Sequence, residues 1–292
     1  MRYGVGVLMV AMAGVLWSLQ GLVFRQIDAA GPWAILFWRS IGMLPVLMGF
    51  LVWRSSGHPL AAIRAVGIAG VLGGLSLVGA FGGIIFAIQI TTVANAVFLL
   101  AASPLLTALL GWMFLGERVR KDTWFAIGIA AAGIFIMVRE NLAGGAMMGN
   151  IGALISALGF SIFTVTLRWR RLGDTLPVVL IGALFAIGLA ALVSWQGAET
   201  LRISLPDRLW SMAMGAVTLS GGMVLYTLGS RVVPAAELAL LSLLEVMLAP
   251  VWVWAFLGET ASVNTFVGGT IILIGVVLNG VVSARRPALP GV

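Results

Sequence analysis

Two charged side chains stand where charge is costly. Glu245 lies near the middle of the apolar run 234–257, and Arg39 lies within the run 32–53. A carboxylate at the bilayer centre costs about 2.5–3.5 kcal/mol on insertion scales, so such a residue is a functional candidate. Glu245 can exchange a proton against substrate, pair with a substrate ammonium group, or be neutralised by Arg39. The residue types leave all three readings open. Other chemistries lack their residues. Cysteine is absent and His58 is the single histidine, which removes disulfides, thiolate ligands and a histidine-rich metal centre. The aspartates Asp28, Asp122, Asp174 and Asp207 fall at the ends of apolar runs, so paired intramembrane aspartates and aspartate-rich metal sites are missing. No Walker-type phosphate loop occurs. The expectation is a protein without cofactor that is not an enzyme.

The elements that hold these two charges follow from composition. Hydrophobic residues make up 61% of the chain and charged residues 9%, with mean hydropathy +1.12. A soluble domain carries about 25% charged residues, so the chain reads as an all-α integral membrane protein. A crossing helix needs about 20 apolar residues. Candidate spans run over 4–24, 32–53, 64–88, 93–115, 122–139, 149–168, 175–195, 209–230, 234–257 and 262–282.

The sequence also repeats itself. Phe114-Leu-Gly-Glu117 and Phe256-Leu-Gly-Glu259 lie 142 positions apart (259 − 117), about half of 292 residues. Ten transmembrane helices then divide into two five-helix repeats, 1–140 and 150–284, joined by a glycine-rich linker at 141–149 and followed by a tail at 285–292. An odd number of spans per repeat inverts the second relative to the first. Trp17-Ser18 aligns with Phe160-Ser161 and Arg25 with Arg168. The opening run, although it resembles a signal peptide, therefore has an internal counterpart and reads as a span.

Charge at the span ends sets orientation. With the N-terminus inside, the inner segments hold twelve cations: Arg2, Arg54, Arg64, Arg118, Arg120, Lys121, Arg168, Arg170, Arg171, Arg231, Arg285 and Arg286. The outer segments hold four: Arg25, Arg139, Arg202 and Arg208. That bias places both termini in the cytoplasm. The net charge of +7 thus belongs to topology, and no nucleic-acid partner is expected.

Two five-span halves whose fourth helices end in Phe-Leu-Gly-Glu resemble the drug/metabolite transporter superfamily, in its ten-helix EamA-repeat branch, over residues 4–282. Trp17-Ser18, Phe37-Trp38-Arg39 and Leu244-Glu245 ahead of Pro250 fit the same resemblance. It implies a secondary transporter of small metabolites, working mostly outward. Length and Leu16-Trp17-Ser18 are similar to bacterial aromatic amino acid exporters. Export of aromatic or other apolar amino acids across a bacterial inner membrane, by a monomer in the lipid bilayer, is therefore the expectation. An uncoupled facilitator and a broader metabolite or multidrug efflux protein are its rivals.

In inverted-repeat transporters the substrate site lies at the midplane where the halves meet. The candidates there are Trp17, Ser18 and Gln20 on the first helix, with Phe160, Ser161 and Thr164 on the sixth. The third adds Gly79, Phe81 and Phe86, the fourth Phe98 and Ser103, the eighth Ser220 and Tyr226, and the ninth Ser242. Gly79-x-x-Gly82 and Gly221-Gly222 coincide across the repeat and serve either close packing or room for substrate. Aromatics and small hydroxyls suit a flat, apolar substrate. Glu245 stands opposite Ser103 in the alignment, which singles it out as the coupling candidate, with Arg39 as its possible partner. Glu237 reads as an interfacial group. Glu117 can pair locally with Arg120 or Lys121, whereas Glu259 has no cation near it in sequence.

Overall fold

A computed structural model describes residues 2–141, 147–172, 174–197 and 199–285, and over them the chain is helical with no strand. The linker expected at 141–149 shrinks from both ends: Asn141 closes one helix, Met147 opens the next, and 142–146 lie outside the described residues. The tail from 286 onward also lies outside them.

The helices are α1 (Tyr3–Ser18), α2 (Gln20–Phe24), α3 (Pro32–Arg54), α4 (Pro59–Ala65), α5 (Gly67–Ile90), α6 (Val93–Leu100) and α7 (Ser103–Leu115). They continue as α8 (Lys121–Asn141), α9 (Met147–Trp169), α10 (Leu176–Trp195), α11 (Leu205–Ala213), α12 (Gly222–Gly229), α13 (Ala235–Leu257) and α14 (Val263–Arg285). A π-helical segment, Met214–Gly221, joins α11 to α12. Among the described residues, nine helical runs are long and apolar enough to cross a bilayer, and Leu241–Leu257 within α13 is a shorter apolar helix.

Local chemistry sets the ends. Ser204 accepts the Asp207 amide at 3.1 Å, and Pro206 follows in the first turn, so the run begins at Leu205 rather than at 209. Thr92 caps α6 by accepting the Asn95 amide at 3.2 Å. The two Phe-Leu-Gly-Glu copies end α7 and α13 in the same way. Gly116 and Gly258 adopt left-handed φ of +66° and +67°, a conformation that favours glycine at a helix end. The Glu117 amide then donates to Gly111 O and the Glu259 amide to Val253 O, both at 3.2 Å.

Three cross-helix bonds reveal how α1/α2 meets α13. Tyr3 donates to Glu237, Trp252 Nε1 to Ser18 Oγ at 2.9 Å, and Arg25 Nε to Glu259 Oε2 at 2.8 Å, each joining residues 234 apart in sequence. A constant offset means two helices running parallel in one register along their whole length. On the other side, α9 runs parallel to α6–α7, joined at Asn150–Asn95, Ser161–Ser103 and Arg168–Glu117. There the offsets are 55, 58 and 51, so the register is not constant, and Ala101-Ala102 interrupts the helix between the first two contacts.

Small residues let the other helices approach. A Cβ on Gly83 would sit 2.5 Å from Gly152 O, and one on Gly159 would sit 2.6 Å from Ser76 O, so α5 and α9 touch backbone to backbone. Gly133 and Gly268 do the same for α8 and α14, and Gly6 with Gly229 for α1 and α12. α3 and α10 pair in antiparallel fashion. Glu199, beyond α10, caps α3 through the Ala34 amide at 2.8 Å, while Asp174, ahead of α10, pairs with Arg54 at 3.0 Å.

Candidate functional site

The sequence-predicted residues fall into separate clusters. Trp17, Ser18, Tyr226 and Ser242 come together where α1, α12 and α13 meet. The Trp17 and Tyr226 rings lie 5.5 Å apart, and the Trp17 indole donates to Leu219 O at 3.3 Å. Gly222 has no room for a Cβ beside that indole, at 2.4 Å from Nε1. Tyr226 lies beside Ser242, whose hydroxyl donates to Leu238 O at 2.8 Å. Ser18 is fully buried, donates to Val15 O and accepts from Trp252. Gln20 follows the break at Leu19, half-buried.

The equivalent cluster around α9 is built differently. Ser161, also fully buried, shares its single hydroxyl proton between Ala157 O at 2.7 Å and Ser103 O at 2.9 Å, so the start of α7 is tied to α9. Phe160 stacks on Phe163 at 5.7 Å and is largely exposed. Thr164 bonds back to Phe160 O within its own helix. Phe98 is buried against Phe266 and fills the space at Gly269. Ser220 is buried on the π segment, with no hydrogen-bond partner for its hydroxyl.

Gly79 and Phe86 go elsewhere. They line a cavity of about 770 Å³ bounded by α3, α5, α9 and α10. No charged side chain lines it; Trp33, Leu36, Val78, Ile155, Phe185 and Leu189 are typical of its wall. Gly79 and Gly82 meet nothing closer than 3.8 Å, so they make room here, whereas Gly83 beside them packs on α9.

The charged groups bring corrections. Arg39 and Glu245 form no ion pair. The Arg39 guanidinium lies over the Phe81 ring, 4.8 Å from its centroid, and Glu245 has no ion-pair or hydrogen-bond partner among the described residues. Glu245 sits on α13 where that helix crosses Gly14 of α1, one turn past Ser242. Glu117 pairs with Arg168 at 2.6 Å, not with Arg120 or Lys121. Glu259 has a cation after all, Arg25, and its second oxygen accepts the Val93 amide at 2.7 Å. Arg25 also donates to Thr91 O at 2.9 Å.

These two corners, made of aligned residues, exchange partners: Arg25 precedes the linker and Glu259 follows it, while Glu117 precedes it and Arg168 follows. Val93 opens the 23-residue run that closes at Leu115, next to Glu117. At about 1.5 Å per residue that run is ~34 Å long, so the corners occupy opposite ends of the molecule. Sequence reasoning could pair neither, since the partners lie 234 and 51 residues apart.

Comparison with known proteins agrees with this architecture. The EamA-like transporter family matches the chain twice, over residues 4–139 and 147–281. An uncharacterized transporter of Archaeoglobus fulgidus is 24% identical over 281 residues, covering 95% of this chain and 96% of its own. The pseudopaline exporter CntI of Pseudomonas aeruginosa is 26% identical over 278 residues, covering 92% and 93%. Solute carrier family 35 member G1 of Mus musculus is 23% identical, over 93% of this chain and 76% of its own. A solved crystal structure shares the fold, with TM-score 0.66 at 20% identity, over 98% of this chain and all of that one. The chain is a multi-pass membrane transporter rather than an enzyme, and it belongs to the EamA-like transporter family.

Proposed function

We propose that this protein is a secondary exporter of small metabolites, foremost aromatic or other apolar amino acids, working by alternating access in a bacterial inner membrane. Ten spans form two inverted five-helix repeats, 1–140 and 150–284, with both termini in the cytoplasm, and one chain is a complete pathway. The observation that carries this reading is the pair of Arg–Glu corners at opposite ends of the molecule, each joining one half to the other. Breaking one while the other holds opens a central site to one side at a time. The double match to the family, and the parallel pairing of α1/α2 with α13 and of α9 with α6–α7, support the inverted arrangement. The name of the Pseudomonas relative favours outward movement.

Glu245 is the coupling group of this reading. It carries a carboxylate within a span, next to the Trp17–Tyr226–Ser242 cluster, and no cation neutralises it among the described residues. A proton taken up there and released on the other side would drive substrate the opposite way. Liposomes loaded with labelled phenylalanine, tryptophan and leucine provide the test, with and without a pH gradient. Gradient-dependent movement is expected, and Glu245→Gln is expected to abolish the dependence. Movement that ignores the gradient would make the protein a facilitator. If no amino acid moves in either condition, the substrate assignment fails.

A further inference from the structure

Arg39 is among the largest fully buried side chains of the molecule, 2% exposed, and it lies within a membrane-spanning helix. Its Nε and Nη2 are buried with no acceptor. Four carboxylates at helix ends are engaged elsewhere: Glu117 by Arg168, Asp174 by Arg54, Glu259 by Arg25, and Glu199 by the α3 amides. Glu245, itself unpaired among the described residues, forms no ion pair with Arg39. Only the face of the guanidinium is satisfied, against Phe81.

The backbone that carries it is closely packed. A Cβ on Gly215 would sit 1.9 Å from Arg39 O, and one on Gly42 would sit 2.2 Å from Met212 O, so α3 lies directly on the run through α11 and the π segment. Three more hydroxyls on these facing elements, Ser40, Ser211 and Ser220, are buried without partners. Buried polar groups are paired in nearly all native proteins with protein, water or ligand, so a cluster of open groups is a place for a bound polar partner. The π segment fits, since widened helical turns recur at functional sites. The apolar cavity is adjacent: Leu36, one turn before Arg39, and Val78, one turn before Phe81, both line it.

We propose that Arg39 is the anion-recognition residue of this transporter. It takes the carboxylate of a substrate whose apolar body occupies the cavity bounded by α3, α5, α9 and α10. A planar guanidinium holds a carboxylate through two parallel hydrogen bonds, and stacking on Phe81 leaves its edge free for them. One cation balances one carboxylate, whereas a phosphate dianion would demand a second. This assignment rests on the transporter reading and names the end of the substrate that the protein grips. The carboxylate can belong to a soluble amino acid or to a fatty acid, and the test separates the two.

Thermal unfolding of the purified full chain in detergent, with added ligand, keeps binding apart from transport. L-Phenylalanine, phenylacetate and laurate are compared with L-phenylalaninol and phenylacetamide, which lack the carboxylate. The acids are expected to raise the melting temperature and the neutral analogues to leave it unchanged. Phenylalanine outperforming laurate identifies a soluble metabolite, and the reverse a lipid-derived acid. Arg39→Lys, which keeps the charge and loses the fork, is expected to weaken the acids roughly ten- to hundredfold. Ser211→Ala provides a milder second variant that retains the arginine and is expected to weaken them less. Equal stabilisation by acids and neutral analogues, no stabilisation by any acid, or full acid affinity in Arg39→Lys would each overturn the proposal. Wild-type binding of acids without transport of any of them would instead overturn the exporter reading and leave this site standing.

Discussion

The two Phe-Leu-Gly-Glu corners are built from the same parts and hold with different strength. At Glu259 the carboxylate takes Arg25 with one oxygen and the Val93 amide with the other, while Arg25 reaches on to Thr91 O. Three elements meet there: the end of α2, the end of α13 and the turn between α5 and α6. At Glu117 the described contact is the single bond to Arg168, whose side chain is 47% exposed against 27% for Arg25. Repeat alignment pairs Thr91 with Val233, and among the described residues no bond joins Arg168 to it. One end of the molecule is therefore tied across both halves and the other only pinned. Identical corner sequences yield unequal corners because the third participant is the neighbouring turn, which the motif does not contain.

The largest expected effect comes from fixing the tied corner shut. The chain has no cysteine, so Arg25→Cys with Glu259→Cys carries a unique pair of thiols. Oxidation is expected to stop export, and reduction to restore it. Next in size is Glu259→Ala, which strands the Arg25 guanidinium and the Val93 amide and is expected to cost about 1.5–3 kcal/mol in unfolding measurements. Gly215→Ala should cost about 1–3 kcal/mol, because its Cβ would meet Arg39 O at 1.9 Å. Gly79→Ala, with its nearest neighbour at 3.9 Å, is expected to keep wild-type stability. Glu117→Ala is expected to cost less than Glu259→Ala, about 0.2–1 kcal/mol, since its partner is solvent-screened. Equal losses at Glu259 and Glu117 would erase the difference between the corners.

Much of this was legible before any coordinates. Apolar run length marked the helices, and the two Phe-Leu-Gly-Glu copies marked two of their ends, where Gly116 and Gly258 prove left-handed. Ser204-x-x-Asp207 carried the true start of α11, though a window centred on hydropathy passes over it because α11 begins with polar residues. The break at Ala101-Ala102 had its signal in Pro104, which stands in the first turn of α7 and cannot donate to Leu100 O, whereas the break at Leu19 holds neither glycine nor proline. The π segment was equally silent. Of the candidate site, Trp17, Ser18, Tyr226 and Ser242 do converge, while Gly79 and Phe86 border another cavity and Phe81 serves Arg39. Arg39 entered the sequence argument as a counter-ion to Glu245 and as part of Phe37-Trp38-Arg39. Its separation from that carboxylate depends on how α3 lies on the π segment, a long-range packing fact that no residue spacing encodes.

The central claim is that the two corners open in turn. Spin labels at the exposed positions 26 and 260 in one variant, and 118 and 169 in another, leave both ion pairs in place and report the two ends by pulsed electron spin resonance in lipid nanodiscs. Adding L-phenylalanine at two pH values is expected to lengthen one distance as the other shortens. Distances that stay fixed at both ends, or that widen together, would contradict alternating access through these corners.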